Sequence, residues 1–420
     1  MPRNLPLLTF LGLFTFLSFA CSESSVDPTP EEIPFELQVF APQVVQKTNT
    51  TTQLHVHYMP WFFTRDYDGF WGSHWTMRNQ DPNVVDANGK REIAAHYYPL
   101  IGPYSSKDPD AVEYHLLLMK LSGIETVMID WYGTFDLFDY KDNLEGSNAL
   151  INKIDEVGLK FAIVYEDRTT EAVVNNNFAN SAVEAAKTDF NYIQAEYFSK
   201  DSYLVVDDKP VAMVFTPVFI ETGTAWTQIF EDLSPKPHML SLWEQKNDLG
   251  PVGTGEYSWV FNGNNNHATL LQNFYNRINR LDLGIGSAYP GFNDFYVEGG
   301  NGDIIGWDIP HNGTQTLKQT LDLAKSNNLE HLQLVTWNDF GEGTMIEPTQ
   351  EFGYSMLEEV QAFSGVSYTA ADLALVTDLY TNRKKYASDA EVQLKLDQVF
   401  YYLVSLQIDE ARSLLTDINE

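Results

Sequence analysis

The stretch LQLVTWNDFGEGTMIEP, residues 332–348, decides how this chain reads. Leu332, Leu334 and Val335 form a short apolar run, and Trp337, Asn338, Asp339, Phe340 and Gly341 then carry the chain round to Glu342, with Gly343, Thr344 and Glu347 beyond. An apolar strand ending in glycine-punctuated acids is how an α/β barrel presents chemical groups, because strand ends are rigid and the loops beyond them form the open face. Asp339 and Glu342 are therefore the candidate acid/base pair. Their glycine neighbours permit close backbone approach or positive φ, which a plain surface turn rarely needs twice.

Working outward, the same pattern of an apolar run with a polar or aromatic tip occurs eight times: LHVHYMPW (54–61), ETVMIDWYG (125–133), KFAIVYED (160–167), KPVAMVFTP (209–217), HMLSLWEQ (238–245), EYSWVFNG (256–263), GIGSAYPGF (284–292) and LQLVTWNDFGE (332–342). Eight is the strand number of a closed parallel barrel. Helical spacing lies between the runs, at residues 110–121, 149–157, 170–187, 190–198, 222–233, 268–281 and 314–327, with 354–363 supplying the last barrel helix. The alternation predicts right-handed βα units, hence a (β/α)8 TIM barrel over 51–365. YLVVDDK (203–209) predicts an extra strand in a hairpin with the fourth, and 366–420 a small helical appendage. From residue 62 to 108 the chain is rich in aromatics, Gly and Pro; so long an excursion after a first strand is expected to build part of a binding cleft.

Before the barrel, residues 1–20 carry Arg3 and then an apolar run, the pattern of a secretory signal peptide. Cys21 is the single cysteine, so it serves no internal disulfide. Its place after LSFA resembles a bacterial lipobox, which implies lipidation at Cys21 and an outer-membrane lipoprotein of the cell envelope. Residues 21–50 then read as a tether, the Ser-, Pro- and acid-rich SESSVDPTPEEIP having almost nothing to bury. A formal charge of -32 argues against a nucleic-acid partner, which needs a basic face. The expected partners are a polysaccharide or oligosaccharide and, through the lipid alone, a membrane; the protein itself is expected to be a monomer.

Aromatic residues make up 14% of the chain, and many stand beside polar residues in Gly-rich stretches, where they can stack on sugar rings. Strand tips and the long excursion together nominate the substrate contacts: Tyr58 and Trp61; Trp71, His74 and Trp75; Asp130, Trp131 and Tyr132; Glu166; Trp243 and Glu244; Trp337 and Asn338. Tyr58, Trp131 and Glu166 are expected on one rim with Asp339 and Glu342. His55 and His57 alternate on one strand, yet a third ligand is not evident nearby, so no metal is expected. A P-loop and a Rossmann glycine pattern in its required context are lacking too, and no cofactor is expected.

NDFGEGTMIEP resembles the motif of glycoside hydrolase family 99, endo-acting α-mannosidases in which an N-E-W-H-E-G-T-x-I-E-P run supplies both catalytic carboxylates. HYMPWF, VYEDR and YPGFND are similar, in the same order, to that family's Y-Y-P-W-Y, H-L-E-P-Y and P-G-Y-D-D segments. Two positions depart from it: the family's first catalytic Glu is Asp339 here, and its His is Gly341. W-N-D-F-G-E is also similar to the motif of family 71, fungal α-1,3-glucanases. The resemblance implies a glycoside hydrolase cutting an α-linked polysaccharide internally, most simply an α-mannan, with Glu342 as general acid/base and Asp339 as its partner. An inverting α-glucanase, or a carbohydrate-binding lipoprotein that has lost catalysis, are the alternatives.

Overall fold

Strand β1 (Gln53–Tyr58) lies between β2 (Thr126–Trp131) and β9 (His331–Leu334), parallel to both. In the computed structural model, which describes residues 35–263, 266–302 and 305–420, β2 continues to β3 (Lys160–Tyr165). Beyond β3 come β5 (Lys209–Val214), β6 (His238–Leu242), β7 (Gly253–Tyr257) and β8 (Leu283–Ala288), and β8 pairs with β9. Eight parallel strands thus close into a (β/α)8 TIM barrel, as their spacing predicts. The hairpin is present as β4 (Val205–Val206), antiparallel to β5. The signal peptide, Cys21 and residues 22–34 of the tether lie outside the described residues.

Alternation along each strand sets what faces the barrel interior and what faces the helices. On β1, Leu54, Val56 and Tyr58 point outward, Tyr58 reaching His115 of helix Pro109–Leu121. His55 and His57 point inward, where His55 meets His331 of β9 at 3.1 Å. Gln333 of β9 crosses the interior to the Ser258 carbonyl at 2.8 Å, and Ser258 and Ser287 share a hydrogen bond. The barrel centre is therefore a packed polar layer, with the cleft above it.

Some helix boundaries differ from those the periodicity predicts. The helix expected at 149–157 begins nine residues earlier, as Tyr140–Val157, and ends at Gly158 with φ 78°. Those expected at 170–187 and 190–198 are instead Thr169–Asn175 and Ala182–Glu196. The intervening NNFANS run interrupts the helix, and the Ser181 hydroxyl caps the second one by accepting from Glu184 N–H. Three C-terminal helices, Ala370–Lys385, Ala390–Val404 and Ile408–Asn419, follow the barrel. The first is pinned to helix Pro109–Leu121 by a buried two-bonded contact of Arg383 with Glu113, at 2.7 and 3.1 Å. Gln38 exchanges two hydrogen bonds with Gln398 and Lys47 bonds to Glu125, so residues 37–50, counted with the tether from the sequence, are part of the compact unit Leu37–Glu420.

Candidate active site

The loop after β9 is built by its own polar side chains. Thr336 Oγ1 accepts from Asp339 N–H at 2.8 Å and contacts Thr344 Oγ1 at 3.0 Å, while Glu347 N–H returns to the Trp337 carbonyl. Asn338 clamps the loop to β1: its Oδ1 accepts from Met59 N–H at 2.8 Å and its Nδ2 donates to the Met59 carbonyl at 3.0 Å. Gly343 has φ 66°, and a Cβ there would stand 2.7 Å from the Asn293 carbonyl oxygen, so the turn after Glu342 accepts no side chain. Segment 293–295 backs the loop through Asn293 N–H to the Glu342 carbonyl and Phe295 N–H to the Gly341 carbonyl.

Asp339 and Glu342 consequently face one cleft at the C-terminal ends of the strands, a cavity of about 760 Å³. Asp130 from the end of β2 and Glu166 just past β3 line it too, as do Trp61, His74 and Tyr132. Trp61 and His74 are stacked, centroids 4.0 Å apart and planes within 7°, so the long excursion does supply cleft wall. Burial holds the His74 imidazole down at about 3, hence neutral, and its 4.0 Å approach to Asp139 is not an ion pair near neutral pH.

The two central carboxyls sit in different environments. Desolvation, then the charge of Asp339, pushes the Glu342 carboxyl up to about 8; the Tyr296 hydroxyl, which donates to its Oε1 at 2.9 Å, opposes part of that rise. Asp339 is raised less, to about 6: desolvation acts on it as well, but backbone N–H groups of Glu342 and Gly341 donate to its carboxylate, the former at 2.9 Å. Near neutrality this favours a protonated Glu342 beside an ionised Asp339, the unequal pair that acid/base chemistry requires. Desolvation and neighbouring carboxylates likewise raise Asp130, and desolvation raises Glu166 to about 8. Among the described residues, no group of three or more His, Cys, Asp or Glu side chains is disposed to hold a metal ion.

Several nominated contacts lie elsewhere. Tyr58 and Trp131 share the outward parity of their strands; Trp131 packs at 6.1 Å on Tyr192 of helix Ala182–Glu196 instead of reaching the rim. Trp75 is fully buried, its indole N–H donating to the Tyr104 carbonyl. Trp337 is buried beside His115, and Asn338 spends its amide on the Met59 clamp. Trp71 is held at the side of the excursion by Asn83 and Arg91. Trp243 packs on Phe274 outside the barrel, and neither it nor Glu244 lines the cleft. Sequence reasoning missed His57, Phe215, Trp259 and Tyr296, all of which line it. His57 was legible in principle, since it shares the parity of His55, whereas Tyr296 comes from an irregular loop with no periodic signal.

Behind the loop, Glu347 Oε2 accepts from Tyr104 at 2.7 Å, Asn338 Nδ2 reaches the same hydroxyl at 3.1 Å, and His115 lies 3.3 Å from Glu347 Oε1. This buried cluster fixes the part of the loop from which both carboxylates project.

Residues 49–232 match the model of glycosyl hydrolase family 99. A glycoprotein endo-alpha-1,2-mannosidase of Xenopus laevis is 25% identical over 210 residues, 44% of this chain and 44% of the relative. The Mus musculus enzyme of that name is 30% identical over 110 residues, 24% of this chain and 23% of its own. The chain thus matches less than half the length of these relatives, and the family match ends before Asp339 and Glu342. Among solved structures, the GH99 endo-alpha-mannosidase from Bacteroides thetaiotaomicron shares the fold with a TM-score of 0.58 at 16% identity, covering 76% of this chain and 99% of that one. Residues 49–232 thus resemble glycosyl hydrolase family 99, and the barrel as a whole has the fold of that solved structure.

Proposed function

We propose that the cleft is the active centre of an endo-acting glycoside hydrolase that cuts an α-linked, mannose-containing polysaccharide. The observation that carries the reading is the placement of Asp339 and Glu342 on one cleft with the carboxyl of Glu342 raised further than that of Asp339. Glu342 is the proton donor to the departing glycosidic oxygen. Asp339 is the partner base. On the route that the resemblance implies, Asp339 takes the proton of the sugar's own 2-hydroxyl, whose oxygen displaces the leaving group and closes an anhydro ring. Water then opens that ring, giving a proton to Glu342 while Asp339 returns its proton to the 2-oxygen, with retention overall. An α-mannoside meets the requirement that the 2-hydroxyl be trans to the leaving group.

The shorter side chain at Asp339 favours a second reading, in which it activates water and the products invert, as an α-glucan substrate would require. Gly341 bears on the choice. A Cβ at that position would lie 3.4 Å from Asp339 Oδ1 and 3.3 Å from the Met77 methyl, so its absence leaves room directly beside the carboxylate. Proton NMR during hydrolysis of an α-mannan separates the routes: product of α configuration at first formation supports the retaining route, and a β product makes Asp339 a water-activating base. Binding without turnover across a polysaccharide panel would leave a carbohydrate-binding protein and overturn both.

A further inference from the structure

Glu342 is followed by Gly343, which has no side chain to anchor it and a backbone free over more of φ/ψ space than any other residue's. A carboxyl that must stay 2.9 Å from the Tyr296 hydroxyl therefore needs the peptides beyond it fixed from outside the loop. Two bonds do this. The Glu342 carbonyl accepts from Asn293 N–H at 2.9 Å, and the Gly343 carbonyl accepts from the His311 side chain at 2.8 Å. His311 reaches that place because Phe292 and Ile309 pair antiparallel, each N–H donating to the other's carbonyl at 2.9 Å, which brings residue 311 beside Gly291. A Cβ on Gly291 would stand 2.7 Å from His311 Nδ1, so the glycine leaves the ring its position.

His311 is buried and does not line the cleft. One neutral tautomer satisfies its surroundings. A carbonyl only accepts, so Nε2 carries the hydrogen, and the Tyr97 hydroxyl donates to the bare Nδ1 at 3.2 Å. Phe352 stacks on the imidazole with centroids 5.4 Å apart, and burial pushes the ring down to about 4, so the neutral form that this pattern demands is the one present near neutrality. Asp339, by contrast, is held from within the loop: its N–H donates to Thr336 Oγ1, and its carbonyl accepts from Thr344 N–H at 3.2 Å. The His311 bond thus bears first on Glu342.

We propose that His311, oriented by Tyr97, is a positioning residue for the acid: by fixing the Gly343 carbonyl it keeps the Glu342 carboxyl on Tyr296 and facing the cleft. The inference rests on the reading of Glu342 as proton donor and adds the residue that sets its place. The long excursion after β1 therefore serves the site twice, with Trp61 and His74 in the cleft wall and with Tyr97 from behind the loop.

Kinetics of the full chain test it with three variants. His311→Leu keeps an apolar body against Phe352 but loses the donor, His311→Gln offers an amide N–H in place of Nε2, and Tyr97→Phe releases the ring from its orienting hydroxyl. On an α-mannan oligosaccharide, kcat of His311→Leu should fall about 10- to 100-fold, the cost of a catalytic group misplaced by about 1 Å. KM should hold, because His311 touches no substrate. A glycosyl fluoride, whose leaving group needs no proton, should lose far less. His311→Gln should recover most of the loss. Tyr97→Phe should show the same split between substrates in weaker form, which decides the matter if thermal melting finds His311→Leu unfolded. Unchanged turnover in folded His311→Leu, equal losses on both substrates, or no recovery in a folded His311→Gln overturns the inference. Glu342→Gln, assayed alongside, tells which reading has failed: equal losses there sink the acid assignment and this inference with it, whereas a split for Glu342→Gln without one for the His311 variants sinks the inference alone.

Discussion

Glu342→Gln is expected to remove turnover while sparing the fold. The amide keeps the shape of the acid: its carbonyl can still accept from Tyr296, whose hydroxyl lies 2.9 Å from Oε1, and the backbone N–H of residue 342 still donates to Asp339. What disappears is the transferable proton. General acid catalysis typically contributes about 10²- to 10⁴-fold, which corresponds to about 2.7–5.4 kcal/mol of transition-state stabilisation. A substrate whose leaving group needs no proton, such as a glycosyl fluoride, should lose far less.

Stability moves the other way. The folded-state pKa of Glu342 is raised, from 4.5 to about 8, so the native state holds its proton more tightly than the unfolded chain. That contribution is fully present below about pH 4.5 and is lost as pH rises through about 8. Glutamine does not titrate, so the variant should gain in melting temperature relative to wild type across this window. The decisive assay is kcat/KM on an α-mannan oligosaccharide and on the fluoride, beside melting curves at several pH values. Retention of more than about a tenth of the wild-type rate, or equal losses on both substrates, would refute the assignment of Glu342 as general acid.

Tyr296→Phe removes a donor to the Glu342 carboxylate, so the basic limb of the pH–rate profile should move upward; an unmoved limb would show that Tyr296 does not tune the acid. Asn338→Ala leaves both backbone groups of Met59 without their buried partner, and about 1–3 kcal/mol of stability should be lost per unsatisfied group, together with kcat, read by denaturant unfolding and by rate. A stable variant with normal turnover would mean that the clamp does not position the loop. We also propose that Cys21 carries lipid and begins the mature chain: Cys21→Ser should release soluble protein, and a native N-terminus found downstream of Cys21 by mass spectrometry would refute the anchor.

Much of this fold is written locally. Each of the eight strand runs is a buried stretch flanked by helical spacing and turn residues, and such signals act over a few residues, so their order survives translation into three dimensions. Helix ends are less legible, because a cap such as Ser181 outweighs the periodicity that would carry a helix through residues 176–181. The loop at 332–348 shows its chemistry for a related reason: acids, glycines and a strand end adjoin in sequence, and the loop closes largely on its own atoms through Thr336, Thr344 and Asp339.

Facing is a different matter. At the end of β1, His57 reaches the cleft and Tyr58 does not; at the end of β2, Asp130 does and Trp131 does not. Alternation is present in the sequence, but which parity is inward depends on how a strand sits between its neighbours, and one residue of register reverses it. The aromatic wealth of the chain misleads for the same reason: Trp75, Trp131 and Trp337 are attractive sugar platforms by type, yet each is fully buried. By itself, then, the sequence determined the barrel, the order of its units and the acidic loop that caps its last strand, because local patterning encodes them. Only the tertiary structure decided that Asp130, Glu166, Tyr296 and Trp259, far apart in the chain, share one cavity with Asp339 and Glu342, because closing the barrel is what brings the ends of different strands together.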